Sequence, residues 1–164
     1  MKVLFVCSGN ICRSVMAEYI LRKYSSQYNI KELEVDSCGI FKIDNLPMPQ
    51  EVVRILKDEG IEQIGHVPKV INEELVNWAD IILVMEKIHL EFIREHFPAA
   101  ATKTYLLKEY VQIEDENKEI WDPMGLGYNE YLDCFYEIKI SINKLLNRWY
   151  RIKNGEDKDK TVLK

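Results

Sequence analysis

The sequence predicts an α/β fold in a single domain, with a central four-stranded parallel sheet covered by helices on both faces as a three-layer structure. Short apolar runs at 2–6, 33–37, 80–85 and 103–107 alternate with stretches of helical periodicity. Strands that alternate with helices favour a parallel sheet with right-handed crossovers. The run DIILVM at 80–85 is almost wholly apolar, which is typical of a strand covered on both faces. A chain of 164 residues is also long enough to bury one core.

The helical stretches end at residues that favour helix termini. Helices are predicted at 13–28, 49–60, 72–79, 87–97 and 128–150. Pro49 stands near the start of the second helix and Gly60 just past its end, and Asn72 is placed to cap the third. The last helix carries an apolar stripe of Tyr131, Cys134, Phe135, Ile138, Ile142, Leu145 and Trp149. We therefore assign residues 1–153 to the domain and expect a disordered tail at 154–164, where hydrophobic residues become sparse.

Composition and charge exclude several classes of function. The net charge is -5, and Lys and Arg alternate with Asp and Glu, so no nucleic-acid-binding surface is expected. No apolar run approaches the roughly 20 residues that a membrane helix needs, and the run at 1–6 is too short for a secretory signal core. We therefore expect a cytoplasmic protein that binds neither nucleic acid nor membranes.

The four cysteines do not have the spacing of a metal site. Cys7, Cys12, Cys38 and Cys134 include no CxxC pair and have no neighbouring histidine arranged as in a zinc site. They are expected to be thiols in a reducing compartment, and Cys38 and Cys134 to lie in the core. No metal and no other cofactor is expected.

The segment VCSGNICRS at 6–14 follows the first predicted strand and combines a thiol with a guanidinium. A loop between a strand and a helix turns backbone N–H groups toward one point, which suits a phosphate-like dianion. Gly9 permits the tight turn, and Asn10 tolerates a left-handed conformation. Arg13 supplies a planar fork that matches two oxygens of a tetrahedral anion. The same groups, with Ser14 as a further donor, favour the thiolate form of Cys7 and make it a candidate nucleophile.

A phosphorylated thiol implies a general acid, because an alkoxide or phenoxide leaves poorly without a proton. Asp122 is the best candidate. It precedes Pro123 in the loop WDPMGLG, and the proline keeps its backbone extended. The same carboxylate would afterwards deprotonate the water that releases phosphate.

Together these motifs resemble those of the low-molecular-weight protein tyrosine phosphatases. VCSGNICRS is similar to the family's signature, WDPMG to its late acid loop, and DSCG and GHVPK to its intermediate segments, in the family's order over nearly the whole chain. The resemblance implies a phosphate-binding loop after the first strand, with Cys7 as nucleophile, Arg13 as phosphate clamp and Asp122 as acid and then base. It implies hydrolysis of phosphotyrosine and small aryl phosphates through a phosphocysteine, without a metal.

The resemblance also implies which other residues surround the substrate. The predicted substrate-binding residues are Ser8, Gly9, Asn10, Ile11, Cys12, Ser14, Phe41 and Met124. Ser37 and His66 would complete the hydrogen-bond network that holds the loop. The implied partners are a tyrosine-phosphorylated protein, such as a tyrosine kinase, and phosphate or other oxyanions in the site. Cys12 falls where many members carry a second cysteine, so a reversible Cys7–Cys12 disulfide is one hypothesis and simple packing under the loop is the other.

Several positions depart from the family's usual residues. Met124 stands where an aromatic side chain usually walls the substrate slot, and the loop from Gly39 to Pro47 offers Phe41 and Ile43 where a Trp or Tyr is frequent. Lys69 replaces a usual Arg and Glu86 a usual Asp.

His89, with His96, is expected to be a solvated helix residue.

Three alternative functions stay open. An arsenate reductase-like thiol oxidoreductase is disfavoured because residues 78–100 contain no cysteine to resolve the adduct. A protein-arginine phosphatase typically has Thr where this loop has Ile11, whose bulk favours the tyrosine-directed branch. A weakly active phosphopeptide-binding module is motivated only by Met124 and the loop around Phe41.

Overall fold

The computed structural model describes residues 1–28, 30, 32–43 and 46–155. In chain order its strands are β1 (Lys2–Cys7), β2 (Glu34–Gly39), β3 (Ile81–Val84) and β4 (Thr104–Leu106). Its α-helices are α1 (Arg13–Ser25), α2 (Gln50–Asp58), α3 (Glu73–Trp78), α4 (Lys87–His96), α5 (Leu107–Tyr110) and α6 (Tyr128–Lys153). A 3-10 helix, Pro98–Lys103, joins α4 to β4.

The strands form one parallel sheet in the order β2-β1-β3-β4. Strand β1 is central: Phe5 is in register with Ser37 of β2 on one side and with Leu83 of β3 on the other. Ligands of such open sheets bind beyond the carboxyl ends of the strands, where the chain leaves neighbouring strands in opposite directions. The end of β1 is such a position.

Two hydrophobic cores separate the layers. Alternate side chains of β1 point to opposite faces, so Val3 and Phe5 pack with helices α1, α2 and α6, whereas Leu4 and Val6 pack with α3 and α4. All four are fully buried. The predicted three-layer fold with helices on both faces of a four-stranded parallel sheet is therefore confirmed.

The predicted elements are found with small shifts at their ends. Each of the four strands and five helices exists, and the Asn72 side chain accepts a hydrogen bond from the Leu75 N–H, as predicted for a cap. Gly60 has a positive φ of 78° just past α2. The sequence did not predict the 3-10 helix or α5, which have only six and four residues and are too short to show a period. Of the predicted tail at 154–164, residues 156–164 lie outside the described residues.

None of the helices in the described part of the chain is both long enough and apolar enough to cross a membrane.

Truncation on the buried stripe of α6 tests how strongly this helix holds the fold. Leu145 is fully buried, whereas Ile140 on the same helix is 54% exposed. We expect Leu145→Ala to lower the free energy of unfolding by about 2–5 kcal/mol, because it removes packed methyl groups and leaves a cavity. Ile140→Ala, the matched control, should change it by no more than about 0.5 kcal/mol. Urea denaturation measures both, and equal losses would contradict the packing described here.

Candidate active site

The loop at residues 8–12 lies at the carboxyl edge of the sheet, between the end of β1 and the start of α1. The backbone that follows β2 holds it from the side: the Ile40 N–H donates to the Cys7 carbonyl at 3.0 Å and the Phe41 N–H donates to the Ser8 carbonyl at 3.0 Å. Gly39 faces the loop where there is no room for a side chain. The predicted strand, loop and helix therefore form one continuous cradle.

Asn10 is the centre of the hydrogen bonds that shape the loop. It is fully buried and has a φ of 54°, the left-handed conformation predicted for it. Its Oδ1 accepts from the Lys69 N–H at 2.8 Å, so its Nδ2 is the group that donates to Ser14 Oγ at 3.0 Å and Ser37 Oγ at 2.8 Å. His66 Nε2 donates to the Asn10 carbonyl at 2.7 Å. The predicted contacts of Ser37 and His66 with the loop are thus present.

The donors and acceptors of this network are ordered so that its last donor, the Ser14 hydroxyl, faces the Cys7 sulfur. Because Ser14 Oγ already accepts a hydrogen bond from Asn10, its own proton is available for Cys7 Sγ, which lies 3.0 Å away. Because Ser37 Oγ likewise accepts from Asn10, its proton goes to the buried carboxylate of Glu18 on α1. A hydroxyl donor facing the sulfur stabilises a thiolate.

Arg13 joins the loop to two distant segments. Its side chain is 1% exposed, and its Nη1 donates to the Glu86 carboxylate and to the Ile120 carbonyl at 3.0 Å. Its Nη2 donates to Ser8 Oγ at 3.2 Å and to Asp122 Oδ2 at 2.5 Å. Burial alone would lower the pKa of Arg13. Charge interactions and hydrogen bonding with Cys7, Asp122 and Glu86 outweigh burial and raise this pKa. The structure thus brings Cys7, Arg13 and Asp122 into one site, as the sequence predicted.

The prediction that His89 is solvated is wrong. Its side chain is fully buried, because the N-terminus of α4 packs against the loop. Nδ1 accepts from the Glu86 N–H at 3.0 Å, so Nε2 carries the proton and donates to Ser8 Oγ at 3.0 Å. Burial and repulsion by Arg13 lower the pKa of His89 to about 3. The imidazole is therefore neutral and holds both the loop and Glu86.

The remaining thiols are buried and protonated. Burial raises the pKa of Cys12, with further contributions from Cys134 and Cys7, and it raises the pKa of Cys134 to about 12. Burial also raises the pKa of Cys38. Cys38 and Cys134 lie in the two hydrophobic cores, which confirms their predicted place. Cys12 packs beneath the loop, and its disulfide with Cys7 stays a prediction.

Side chains of the loop that follows β2 wall the cradle. The Ile43 side chain lies over Gly9, where a Cβ would be 2.0 Å from Ile43 Cδ1. Phe41 is half-exposed and packs edge to face on Phe92 of α4 at 6.4 Å between ring centroids. A cavity of about 640 Å³ borders the loop at Gly9. Its other lining residues are Phe41, Lys42, Ile43, Leu46, Pro47, Pro68, Lys69 and Val70.

Two further predicted binding residues, Ile11 and Met124, differ in exposure. The Ile11 side chain is buried and so does not stand out into solvent at the loop. Met124 is 40% exposed, and its Sδ accepts a hydrogen bond from the Tyr131 hydroxyl at 3.7 Å.

A methyl group at Gly39 should distort the cradle. A Cβ there would lie 2.6 Å from the Ser8 carbonyl oxygen and 2.9 Å from the Asn10 nitrogen, both backbone atoms of the loop. We expect Gly39→Ala to weaken orthovanadate binding by about tenfold or more, since overpacking costs about 1–3 kcal/mol. Gly65→Ala, which meets nothing within 4 Å, is the control. Isothermal titration calorimetry reports both affinities, and an unchanged affinity in Gly39→Ala would mean that the loop does not need this close approach.

The neutral His89 should make stability depend on pH. Its pKa is about 3 in the folded protein against 6.5 in the unfolded chain, so only the unfolded state binds this proton between those values. Stability is therefore lost as pH falls below about 6.5, with a slope approaching about 1.4 kcal/mol per pH unit. We expect His89→Gln to remove this slope, and the exposed His96→Gln to keep it. The test is to measure the free energy of unfolding of each variant from about pH 7 to 4. Parallel plots of this free energy against pH for wild type and His89→Gln would exclude a buried neutral imidazole.

Comparison with known proteins identifies the family. Residues 2–156 match the sequence profile described as low molecular weight phosphotyrosine protein phosphatase. The chain is 33% identical to the protein-arginine-phosphatase of Geobacillus stearothermophilus over 90% of this chain and 95% of that protein. It is 35% identical to the low molecular weight protein-tyrosine-phosphatase Ptp of Acinetobacter johnsonii over 90% of this chain and 94% of that protein.

A solved structure agrees with these relatives. The low molecular weight protein tyrosine phosphatase from T. tengcongensis superimposes with a TM-score of 0.82 at 36% identity, covering 90% of this chain and 99% of that chain. These matches agree with the resemblance of the signature and acid loops and with their placement at one edge of the sheet. The chain therefore belongs to the low molecular weight phosphotyrosine protein phosphatase family.

Proposed function

We propose that this protein hydrolyses phosphotyrosine in proteins, and small aryl phosphates, through a phosphocysteine intermediate. The observation that carries the proposal is that Arg13 Nη2 lies 2.5 Å from Asp122 Oδ2, while Cys7 Sγ receives a hydrogen bond from Ser14 in the same cradle. Nucleophile, anion clamp and proton donor therefore meet around one position, although Asp122 is more than a hundred residues from the others in the chain.

In the first step the Cys7 thiolate attacks phosphorus and the ester P–O bond breaks. The backbone N–H groups of the loop and the Arg13 guanidinium hold the phosphoryl oxygens, and protonated Asp122 gives its proton to the leaving phenolate. A phosphocysteine and a phenol result.

In the second step water attacks the phosphorus of the phosphocysteine. Asp122, now a carboxylate, takes the proton from this water, the S–P bond breaks, and inorganic phosphate leaves. Ser14 donates to the sulfur as negative charge returns to it, which stabilises Cys7 as a leaving group. Every step uses side chains of this chain.

A protein-arginine phosphatase is the second candidate, because two of the similar relatives and two of the similar solved structures bear that name. We favour phosphotyrosine because Ile11, although its side chain is buried, is bulkier than the Thr that the arginine-directed branch typically has at this position. The half-exposed apolar side chains of Phe41 and Met124 near the loop also suit a flat aromatic ring.

We further propose that the protein acts in the cytoplasm on a tyrosine-phosphorylated protein. All four cysteines are free thiols, which is typical of a reducing compartment.

The experiment compares phosphate release from one peptide carrying either phosphotyrosine or phosphoarginine. We expect faster release from the phosphotyrosine peptide, unaffected by EDTA, and a loss of about a thousandfold or more in Cys7→Ser because a hydroxyl is a far weaker nucleophile at neutral pH. Cys134→Ser is the matched control and should keep activity. Faster release from phosphoarginine would establish the second candidate, and full activity in Cys7→Ser would overturn the mechanism.

A further inference from the structure

We propose that Lys108 is a positioning residue that holds the acid loop, defined here as residues 111–127, so that Asp122 faces Arg13. The inference rests on the proposed function, because it matters for catalysis only if Asp122 is the proton donor. Lys108 lies in α5, outside the loop and away from the phosphate cradle, and nothing in the signature motifs draws attention to it.

The ammonium group of Lys108 is buried and joins three separate parts of the chain. Its side chain is 4% exposed. Nζ donates to Asp115 Oδ2 at 2.7 Å, to Glu137 Oε2 at 3.3 Å and to the Glu119 carbonyl at 3.4 Å. An ammonium has three N–H donors, so each is used. The first half of the acid loop, its middle residue and helix α6 are thereby tied to one point.

The contact with Glu119 leads directly to the catalytic aspartate. The next residue, Ile120, is fully buried, and its N–H donates to the Met85 carbonyl at 2.8 Å while its carbonyl accepts from Arg13. Asp122 is two residues further on. Residues 113–123 form no helix or strand, so hydrogen bonds to neighbouring elements, those of Lys108 among them, decide where the aspartate stands.

Charge explains why a lysine can be buried here. Burial alone would lower the pKa of Lys108, but its hydrogen bonds and charge interactions with Asp115 and Glu137 outweigh burial and raise it. The hydrogen bond from Lys108 in turn lowers the pKa of Asp115. The pairing therefore stays ionised at neutral pH. Both carboxylates are about half-exposed, so removing the lysine leaves them solvated rather than buried without a partner.

A matched lysine allows a controlled test. Lys139, on α6, donates to both carboxylate oxygens of Glu59 at 2.9 and 2.8 Å, close to the end of α2. Lys139→Met removes a partly buried ion pair of the same kind without a contact to the acid loop. Lys108→Met, Lys139→Met and Asp122→Ala are compared by kcat/KM, which reports formation of the phosphocysteine, with two substrates.

The substrates are phenyl phosphate, whose leaving group needs a proton, and p-nitrophenyl phosphate, whose leaving group scarcely does. If Lys108 positions the acid, Lys108→Met lowers kcat/KM for phenyl phosphate by about tenfold or more and for p-nitrophenyl phosphate by less than about twofold. Lys139→Met changes neither. Asp115→Ala is a surface change that leaves the lysine in place, and it lowers kcat/KM for phenyl phosphate by a smaller factor. It replaces Lys108→Met as the test if Lys108→Met does not fold.

The outcomes separate the two proposals. Equal losses on both substrates in Lys108→Met and Asp115→Ala, with discrimination in Asp122→Ala, would overturn the positioning role and leave the proposed function standing. No discrimination in Asp122→Ala itself would overturn the positioning role and the assignment of Asp122 as the acid, because the acid would lie elsewhere, but hydrolysis through Cys7 would still stand. A similar discriminating loss in Lys139→Met would show that any lost ion pair produces the effect, and would also overturn the proposal.

Discussion

The burial of one positive charge organises this site. The Arg13 guanidinium is 1% exposed, and a charge removed from water to this extent is tolerated only when it is paired and hydrogen-bonded. Its partners come from the end of β3, through Glu86, and from the acid loop, through Ile120 and Asp122. These segments are far apart in sequence. The free energy that would be lost by leaving the guanidinium unpaired is therefore what holds the acid loop and the β3–α4 junction against the phosphate-binding loop.

A second constraint is the hydrogen bonding that fixes the shape of the phosphate-binding loop. Asn10 occupies a left-handed conformation that costs most residues free energy, and its buried side chain offsets this with hydrogen bonds to Ser14, Ser37 and the Lys69 N–H. The hydrogen-bond network continues from Ser37 to Glu18, whose carboxylate forms an ion pair with Arg22. Because every donor in this hydrogen-bond network has a fixed direction, the Ser14 proton faces the sulfur. Preorganisation of this kind is where enzymes gain most of their electrostatic stabilisation.

The sequence predicted what depends on neighbouring residues and missed what depends on tertiary contacts. Gly9, Asn10, Arg13 and Ser14 could be assigned because strand, turn and helix start are local features. The wrong prediction for His89 arose because nothing in the helical pattern of KIHLEF shows that its first turn packs on the loop. Lys108 resembled any surface lysine for the same reason: its partners, Asp115, Glu119 and Glu137, are brought together only by the fold. Asp122 was found because the proline after it and the family resemblance marked it, not because its distance to Arg13 could be inferred.

The Arg13–Asp122 pair links substrate arrival to release of the acid. Both N–H groups of Nη1 are used by Glu86 and Ile120, and both of Nη2 by Ser8 and Asp122, so a dianion that takes Nη2 must displace one of the latter. Asp122 is the partner that leaves, because its negative charge is repelled by the dianion whereas the Ser8 hydroxyl is held by His89. In the proposed mechanism the phosphate group therefore frees the aspartate from the arginine, while Glu86 keeps the guanidinium in place.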